Sequence, residues 1–336
     1  MKRSKVSVVI PTYNRQKELF TAIDTVIKQT YKGDIEIIVV DDSESKSIKT
    51  ATKKKIGKLR LPKNRFIRYA CPEKRAGAPS ARNLGIKHSK GEFIAFLDDD
   101  DEWMSMKIEK QVDVMIKNPS VALVITGSHD LRFSNDRIQM PQEIITYETV
   151  LKSFNLSSTS SYMVRRQVIE LVALGEGAKQ FEKEYDRIED DNKEFKVFYD
   201  YETGTVDSKK LKKNYPRLYK IMKDKASFAF DIDLKSAQEY DLAIRIAQFY
   251  DIACIQEVLI TQHPGEGQIS ENWGRKISGI IALFAKHHKK YTILGKKQKL
   301  MQYAKTIGVL TLFSFGYIVG NRIYKIIIPI KEIYER

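Results

Sequence analysis

The stretch FIAFLDDDDEW, residues 93–103, decides the fold class, because an apolar run of strand length ends abruptly in four consecutive carboxylates. A short apolar run with polar ends is typical of a strand buried on both faces of a parallel sheet. Two similar runs upstream end near Thr12 and Asp41. In an open α/β sheet the carboxyl ends of the strands line the ligand crevice, so we expect Thr12, Asp41 and Asp98–Asp101 to converge in space.

Strand-like and helical patterns alternate along most of the chain. They predict strands at Val6–Ile10, Ile35–Val40, Phe93–Leu97, Ala122–Thr126, Ser157–Arg166 and Ile252–Ile255, and helices at Gln16–Gln29, Ala78–Ser89, Met106–Lys117 and Ser236–Tyr250. Such alternation indicates an α/β fold with a mostly parallel twisted sheet flanked by helices.

Residues 175–234 interrupt this pattern with dense mixed charge and little core material. We interpret them as a helical, solvated insertion. The predicted organisation is therefore one α/β domain over residues 1–270, containing this insertion, and a C-terminal helical segment over residues 271–336.

The 336 residues include only two cysteines, Cys71 and Cys254, which excludes a disulfide scaffold and a cysteine-based zinc site. The N-terminal sequence MKRSKVSVVIPTYNR has an apolar run too short for a signal peptide, so we expect a cytoplasmic protein.

Basic charge is concentrated at the C-terminal end. Residues 272–336 contain 13 Lys or Arg and 2 Asp or Glu, a net +11 of the total +15. Residues 306–320 within this segment carry no charge, and nucleic-acid binding gives no reason for such a run. The run is shorter than the ~20 residues of a membrane-spanning helix, which leaves a buried or an interfacial helix. We expect peripheral contact with the anionic inner face of the cell membrane, and no nucleic-acid partner.

The acidic run at Asp98–Asp101 needs neutralisation, since adjacent carboxylates repel one another. A divalent cation is the simplest solution, and carboxylate oxygens suit Mg²⁺ or Mn²⁺. A charged solvated loop or a helix N-cap cluster is the alternative. A DDxxD diphosphate site of a polyprenyl synthase would require a helix here, and the preceding strand pattern argues against it.

Four motifs together resemble the family 2 glycosyltransferases with a GT-A fold. They are VSVVIPTYNR (6–15), EIIVVDDSES (36–45), GAPSARNLGIKHSKGEFIAFLDDDDEW (77–103) and AQEYDLAIRIA (237–247), in the family's order and spacing. The resemblance is dense over residues 5–115 and looser over 236–270. It implies a Rossmann-like GT-A sheet that binds a nucleotide-sugar, usually linked to UDP.

The resemblance also implies roles for residues that match the family's motifs. Those expected at the nucleotide-sugar are Pro11, Thr12, Tyr13 and Asp41 around the base, Arg82 and Asn83 beneath the nucleotide, Arg75 near the diphosphate, and Asp98 or Asp99 at the ribose. Asp100 is expected to coordinate Mn²⁺ or Mg²⁺, and His263 to contact the metal or the diphosphate. For several of these, Asp41, Arg75 and His263 above all, an ordinary structural role is the alternative.

The expected catalytic base is Glu239, which stands where family members usually carry Asp. Glutamate is one methylene longer, so this departure puts the exact seating of the carboxylate in doubt. Asp241, two residues on, is expected to be a cap or a salt-bridge partner.

The resemblance implies an inverting, metal-dependent transferase that moves a sugar to an acceptor hydroxyl. The basic and apolar C-terminal segment suggests a lipid-linked glycan as the acceptor. A non-catalytic nucleotide- or glycan-binding scaffold of the same fold is the alternative, and Glu239 is the feature that favours it. A nucleotidyltransferase is disfavoured because no Gly-rich loop follows the first strand.

Overall fold

The structure is a computed structural model, and it describes residues 3–132, 137–152, 156–181, 199–200, 205–206, 213, 229–264 and 272–319. The chain divides into two compact units. Unit 1 comprises Met1–Asp99 and Met163–Phe230, and unit 2 comprises Asp100–Tyr162 and Asp231–Arg336. Most of the predicted insertion at 175–234 lies outside the described residues.

The elements are numbered in chain order. The strands are β1 Val6–Thr12, β2 Ile35–Asp41, β3 Arg65–Ala70, β4 Phe93–Phe96, β5 Asp101–Trp103, β6 Val121–Asp130, β7 Arg137–Gln139, β8 Ile144–Ile145, β9 Met163–Arg165, β10 Tyr199–Asp200, β11 Thr205–Val206 and β12 Asp251–Gln262. The α-helices are α1 Gln16–Ile27, α2 Lys46–Ile56, α3 Gly77–His88, α4 Lys107–Lys117, α5 Tyr147–Lys152, α6 Arg166–Phe181, α7 Gln238–Ala247, α8 Trp273–His287 and α9 Gly295–Val319. Short 3-10 helices lie at Thr159–Ser161 and His288–Leu294.

Unit 1 is built on the parallel strands β3-β2-β1-β4, with β9 antiparallel beside β4. All residues of β1 and β2 are buried, as expected for parallel strands covered on both faces. Two of their buried polar side chains contact each other, since Ser7 Oγ donates to Glu36 Oε1 at 2.6 Å. The predicted parallel sheet is confirmed.

Helix α3 lies very close to β1. An added Cβ at Gly85 would stand 2.2 Å from Val9 Cγ1, so only glycine permits this approach. The helix that carries Arg82 and Asn83 is thereby held against the strand that ends at Thr12.

Unit 2 pairs β6 and β12 in parallel, and the shorter strands join them in antiparallel pairs: β5 and β8 with β12, and β7 with β6. Helices α8 and α9 pack through Trp273, Ile280, Val309 and Phe313, and the rings of Trp273 and Phe313 meet edge to face. Among the described residues, no helix combines the length and the apolar character needed to cross a membrane.

Two predicted elements differ from the structure. The strand predicted at Ser157–Arg166 is reduced to β9, because the serine-rich start folds into a 3-10 turn in which Ser161 Oγ donates to the Ser158 carbonyl. The helix predicted from Ser236 begins at Gln238, since Ala237 has a left-handed backbone with φ of 60°. Helix α2 and strand β3 were not among the predicted elements.

Candidate active site

The carboxyl ends of β1, β2 and β4 meet in unit 1. Thr12 lies opposite Asp41 in the β1–β2 register, and Thr12 Oγ1 donates to Asp99 Oδ2 at 2.7 Å. Asp99 also accepts from Arg15 at 3.3 Å. The predicted convergence of Thr12, Asp41 and the acidic run is confirmed as far as Asp99.

Asp41 is 1% exposed and is held by neutral donors. The Ser43 backbone N–H donates to Oδ1 at 3.0 Å, and the Tyr69 hydroxyl donates to Oδ2 at 2.8 Å. Burial, together with the bond to Asp41, raises the pKa of Tyr69 well above its ordinary value, so its hydroxyl remains a donor. Each Asp41 oxygen keeps acceptor capacity for a further N–H group.

Tyr13, which follows Pro11 and Thr12 at the end of β1, is partly exposed. The Arg75 guanidinium lies over its ring, 4.3 Å from the centroid, and forms an ion pair with Glu44 at 3.6 Å. Arg75 is about half exposed, so its charge faces solvent beside the buried strand ends.

Helix α3 places Arg82 and Asn83 inside unit 1. Arg82 Nη2 donates to Asp98 Oδ1 at 2.5 Å, and Asp98 remains partly exposed. The Asn83 amide exchanges two hydrogen bonds with the Phe230 backbone, at 2.7 and 2.9 Å. Those bonds give Asn83 a structural contact, and its expected place beneath a nucleotide stays a prediction.

The four consecutive carboxylates are divided between the two units. Asp98 and Asp99 belong to unit 1 and are neutralised by Arg82 and Arg15, whereas Asp100 and Asp101 belong to unit 2. Asp101 accepts from Ser160 Oγ at 2.5 Å. Asp98 and Asp99 therefore have arginine partners, and a divalent cation at the acidic run stays a prediction.

In unit 2, β5 and β12 bring Asp100 and His263 towards each other. The antiparallel register pairs Asp101 with Gln262 and Glu102 with Thr261, so Asp100 and His263 adjoin the same end of this paired segment. His263 Nε2 lies 3.1 Å from Glu102 Oε1. Within the described part of the chain, no group of three or more His, Cys, Asp or Glu side chains is arranged to hold a metal ion.

Arg132 adds positive charge near this end of unit 2. It donates to both carboxylate oxygens of Asp130 at 2.7 Å. Burial alone would lower the pKa of Arg132, but Asp130, Asp101 and Asp100 together raise it, so these carboxylates share one fixed guanidinium.

Glu239 occupies the first turn of α7 and is partly exposed. Its backbone carbonyl accepts from the Tyr162 hydroxyl at 3.3 Å. Burial, together with the Glu239 charge, raises the pKa of Tyr162 well above its ordinary value. The left-handed Ala237 before this turn costs about 1–2 kcal/mol, and strained residues of this kind are frequent at functional sites.

Sequence reasoning missed several side chains that hold the expected site residues. Tyr69 binds Asp41, Arg15 binds Asp99, and both oxygens of Asp42 accept backbone N–H groups of Ala76 and Gly77 at the start of α3. Asp42 thus caps α3, whose own N-cap residue is alanine. Arg15 and Asp42 lie within the recognised motifs, whereas Tyr69 lies in a strand that was not predicted.

Residues 7–170 match the family model "Glycosyl transferase family 2". These residues form a glycosyltransferase family 2 domain. It is 35% identical over 151 residues to the Escherichia coli UDP-Glc:alpha-D-GlcNAc-diphosphoundecaprenol beta-1,3-glucosyltransferase WfgD, covering 44% of this chain and 55% of that protein. It is 36% identical over 111 residues to the E. coli enzyme of the same description, WfaP, covering 33% of this chain and 41% of that one. The matched region thus spans about half the length of these family 2 relatives.

A solved structure supports the fold at lower identity. The mannosyltransferase PcManGT from Pyrobaculum calidifontis, in complex with GDP-Man and Mn²⁺, superposes with a TM-score of 0.55 at 15% identity. The superposition covers 99% of this chain and 85% of that one. At this identity the likeness concerns the fold alone, and the predicted GT-A fold is confirmed.

Proposed function

We propose that this family 2 glycosyltransferase transfers a sugar from a UDP-sugar to a hydroxyl of a lipid-linked glycan, with inversion and with a divalent cation. The observation that carries the proposal is the meeting of Thr12, Asp41 and Asp99 at the carboxyl ends of adjacent strands. Ligands of open α/β sheets bind at such ends. The activity for which both E. coli relatives are named supports UDP-glucose as the first donor to test.

In this proposal Asp41 receives the N–H of the uracil ring, because its carboxyl oxygens accept from the Ser43 N–H and the Tyr69 hydroxyl and keep capacity for a further donor. Arg75, stacked on Tyr13, supplies a guanidinium for the diphosphate. Asp98 is a better candidate than Asp99 for the ribose hydroxyls, since Asp98 is partly exposed and Asp99 is buried between Thr12 and Arg15.

Asp100 and His263 would hold Mn²⁺ or Mg²⁺. A carboxylate oxygen and an imidazole nitrogen suit Mn²⁺, and such cations in proteins often take their remaining ligands from substrate phosphates and water. A cation held by these residues would supply positive charge that stabilises a leaving diphosphate. Glu239 acts as the general base that removes the proton from the acceptor hydroxyl as that oxygen attacks the sugar.

Calorimetric titration with UDP, with and without Mn²⁺, tests the donor site. We expect binding that strengthens with Mn²⁺, and an Asp100→Ala variant that loses this gain while the exposed control Asp113→Ala keeps it. The same protein is then assayed with UDP-glucose and GlcNAc-diphosphoundecaprenol. UDP binding without transfer would favour the non-catalytic nucleotide-binding scaffold, and absence of binding by UDP, GDP and ADP would contradict both functions.

We also propose that α9 contacts the anionic inner face of the cell membrane, within the segment 272–336. The helix has two faces at helical spacing. Its buried residues include Gln302, Thr306, Val309 and Phe313, and one row of its exposed uncharged residues is Leu300, Ala304, Ile307, Thr311 and Ser314. Leu300 is 70% and Ile307 is 64% exposed, and the exposed Lys296 and Lys297 lie at the start of the same helix.

Lysines beside exposed apolar side chains, here Leu300 and Ile307, favour binding to an anionic lipid surface. Each lysine near such a surface contributes about 1 kcal/mol. Sedimentation with phosphatidylglycerol vesicles tests this contact. Lys296→Glu with Lys297→Glu is expected to reduce binding at least 10-fold, whereas Lys53→Glu with Lys54→Glu on α2 makes the same change of charge and should have a smaller effect. Equal effects would mean that net charge alone, and not α9, determines the association.

A further inference from the structure

The side chain of Asp241, two residues after Glu239, is completely buried and lies among cationic partners. Arg245, one turn along α7, donates to Asp241 Oδ2 through two nitrogens at 2.9 and 2.7 Å. The other oxygen, Oδ1, lies 2.9 Å from Lys286 Nζ and 2.8 Å from His287 Nε2. Lys286 and His287 are the last two residues of α8, so this carboxylate joins two helices.

The ionisation states of Asp241 and its partners stabilise this contact between α7 and α8. Burial alone would raise the pKa of Asp241, but Arg245, His287 and Lys286 hold it well below its usual range, so the group stays ionised. Burial lowers the pKa of His287, so its ring is neutral near pH 7 and Nε2–H donates to Asp241. Lys286 Nζ also contacts Asp231 Oδ2 at 2.7 Å, which balances its charge.

A second contact fixes the residues just before α7. An added Cβ at Gly279 of α8 would lie 2.0 Å from Ser236 Oγ and 2.8 Å from the Ser236 backbone nitrogen. Ser236 Oγ donates to the Arg275 carbonyl of α8 at 3.2 Å. Helix α8 therefore contacts the chain on both sides of Glu239, at Ser236 and at Asp241, and between them lies the strained Ala237.

We propose that Asp241, Lys286 and His287 are positioning residues that hold the first turn of α7, and with it Glu239, against α8. This inference rests on the proposed role of Glu239 as the base. A carboxylate base must reach its proton at hydrogen-bond distance, and a displacement of about 1 Å can cost about 100-fold in rate. The longer glutamate makes this seating more demanding than an aspartate would.

The same tether connects Glu239 to the helix proposed to lie on the membrane. Helices α8 and α9 pack through Trp273 and Phe313, so α7, α8 and α9 form one continuous packed assembly in unit 2. A base carried by this assembly is held in a fixed place relative to the exposed face of α9. Such an arrangement suits an acceptor whose lipid part is embedded in that membrane.

The test compares Lys286→Met with Lys289→Met, an exposed lysine two residues beyond the end of α8. In the UDP-glucose transfer assay we expect Lys286→Met to lower kcat about 10- to 100-fold and to change the donor KM less than about twofold. Lys286→Arg should recover most of the loss because it restores the cation, and Lys289→Met should behave as the unchanged protein.

A double-mutant cycle separates positioning from general damage. If Lys286 acts through Glu239, then Lys286→Met should lower kcat less than about twofold in a Glu239→Gln background. A full additional loss there would overturn the proposal. Glu239→Gln with unchanged kcat would overturn both the base and this inference, whereas an unaffected Lys286→Met beside an inactive Glu239→Gln would overturn the inference alone.

Amide hydrogen exchange tests the tether without any substrate. In Lys286→Met the amides of residues 238–242 should exchange at least 10-fold faster, while those of α1 keep their rates. Unchanged exchange at residues 238–242 would contradict the proposal even if turnover falls.

Discussion

Asp41 and Asp241 are both buried carboxylates, with 1% and 0% of their surface exposed, yet their partners differ in kind. Neutral donors hold Asp41, namely a backbone N–H and the Tyr69 hydroxyl. Groups that include Arg245 and Lys286 hold Asp241 and compensate its charge. A buried charge without a cationic partner can attract an incoming donor, whereas a compensated one serves as an anchor.

The largest predicted effect is a loss of stability when Asp241 is replaced. Asp241→Ala leaves Arg245 and Lys286 without their buried anion, and removal of one partner of a buried pair typically costs 3–5 kcal/mol. Urea denaturation should show this loss of unfolding free energy. Asp233→Ala, on an exposed aspartate before α7, is the control. A loss below about 1 kcal/mol for Asp241→Ala would mean that the cluster contributes little net stability.

Asp41→Asn should act on binding more than on stability. An amide in place of the carboxylate loses the charged acceptor, so the Kd for UDP should rise about 10- to 100-fold, or about 1.4–2.8 kcal/mol. Calorimetry measures it, and Asp34→Asn, at the opposite end of β2, is the control. If Asp41→Asn destabilised the fold as strongly as Asp241→Ala while UDP affinity stayed constant, both carboxylates would be anchors and the comparison would fail.

The cluster around Asp241 should make the free energy of unfolding depend on pH. The pKa of His287 is below its ordinary value of 6.5, so the unfolded chain binds this proton first and stability falls as pH drops below about 6.5. Asp241, whose pKa is also lowered, adds a further loss below about 3.8. Urea denaturation at pH 7.5, 6.5 and 5.5 should show a shallower decline for His287→Gln than for the unchanged protein. Identical slopes would exclude His287 as the source.

The meeting of the strand ends that we propose to bind the nucleotide could largely be predicted from the sequence. Thr12, Asp41 and the acidic run follow apolar strands, and in a parallel sheet that placement alone sets where they meet. The partners of Asp241 could not be predicted in the same way. Lys286 lies 45 positions away in a basic segment that resembles a solvated surface, and its pairing depends on how α8 packs. Asp241 itself was expected to be a salt-bridge partner or a cap, and that prediction is confirmed.

The partners of the acidic run Asp98–Asp101 could not be predicted from the sequence pattern. Four adjacent carboxylates indicated one shared cation, yet Arg82 and Arg15 lie far from them in sequence and neutralise two of them. A sequence pattern shows which charged residues are adjacent along the chain. Tertiary packing determines which distant cationic side chains contact those residues. Within the proposal, Asp100 keeps its predicted role as a metal ligand together with His263.

The smallest effect we predict is also the most specific to Asp41. Tyr69→Phe removes one neutral donor from Oδ2 and leaves the carboxylate charge unchanged, so the Kd for UDP should rise only about two- to fivefold, equivalent to about 0.5–1 kcal/mol. Tyr31→Phe removes a comparable hydroxyl, which donates to the Ser4 carbonyl, and should leave the UDP affinity unchanged. If Tyr69→Phe matched Asp41→Asn in its effect, orientation of the carboxylate by Tyr69 would contribute as much to recognition as its charge. If it had no effect, the bond to Ser43 would suffice to hold Asp41, and the charge alone would determine binding.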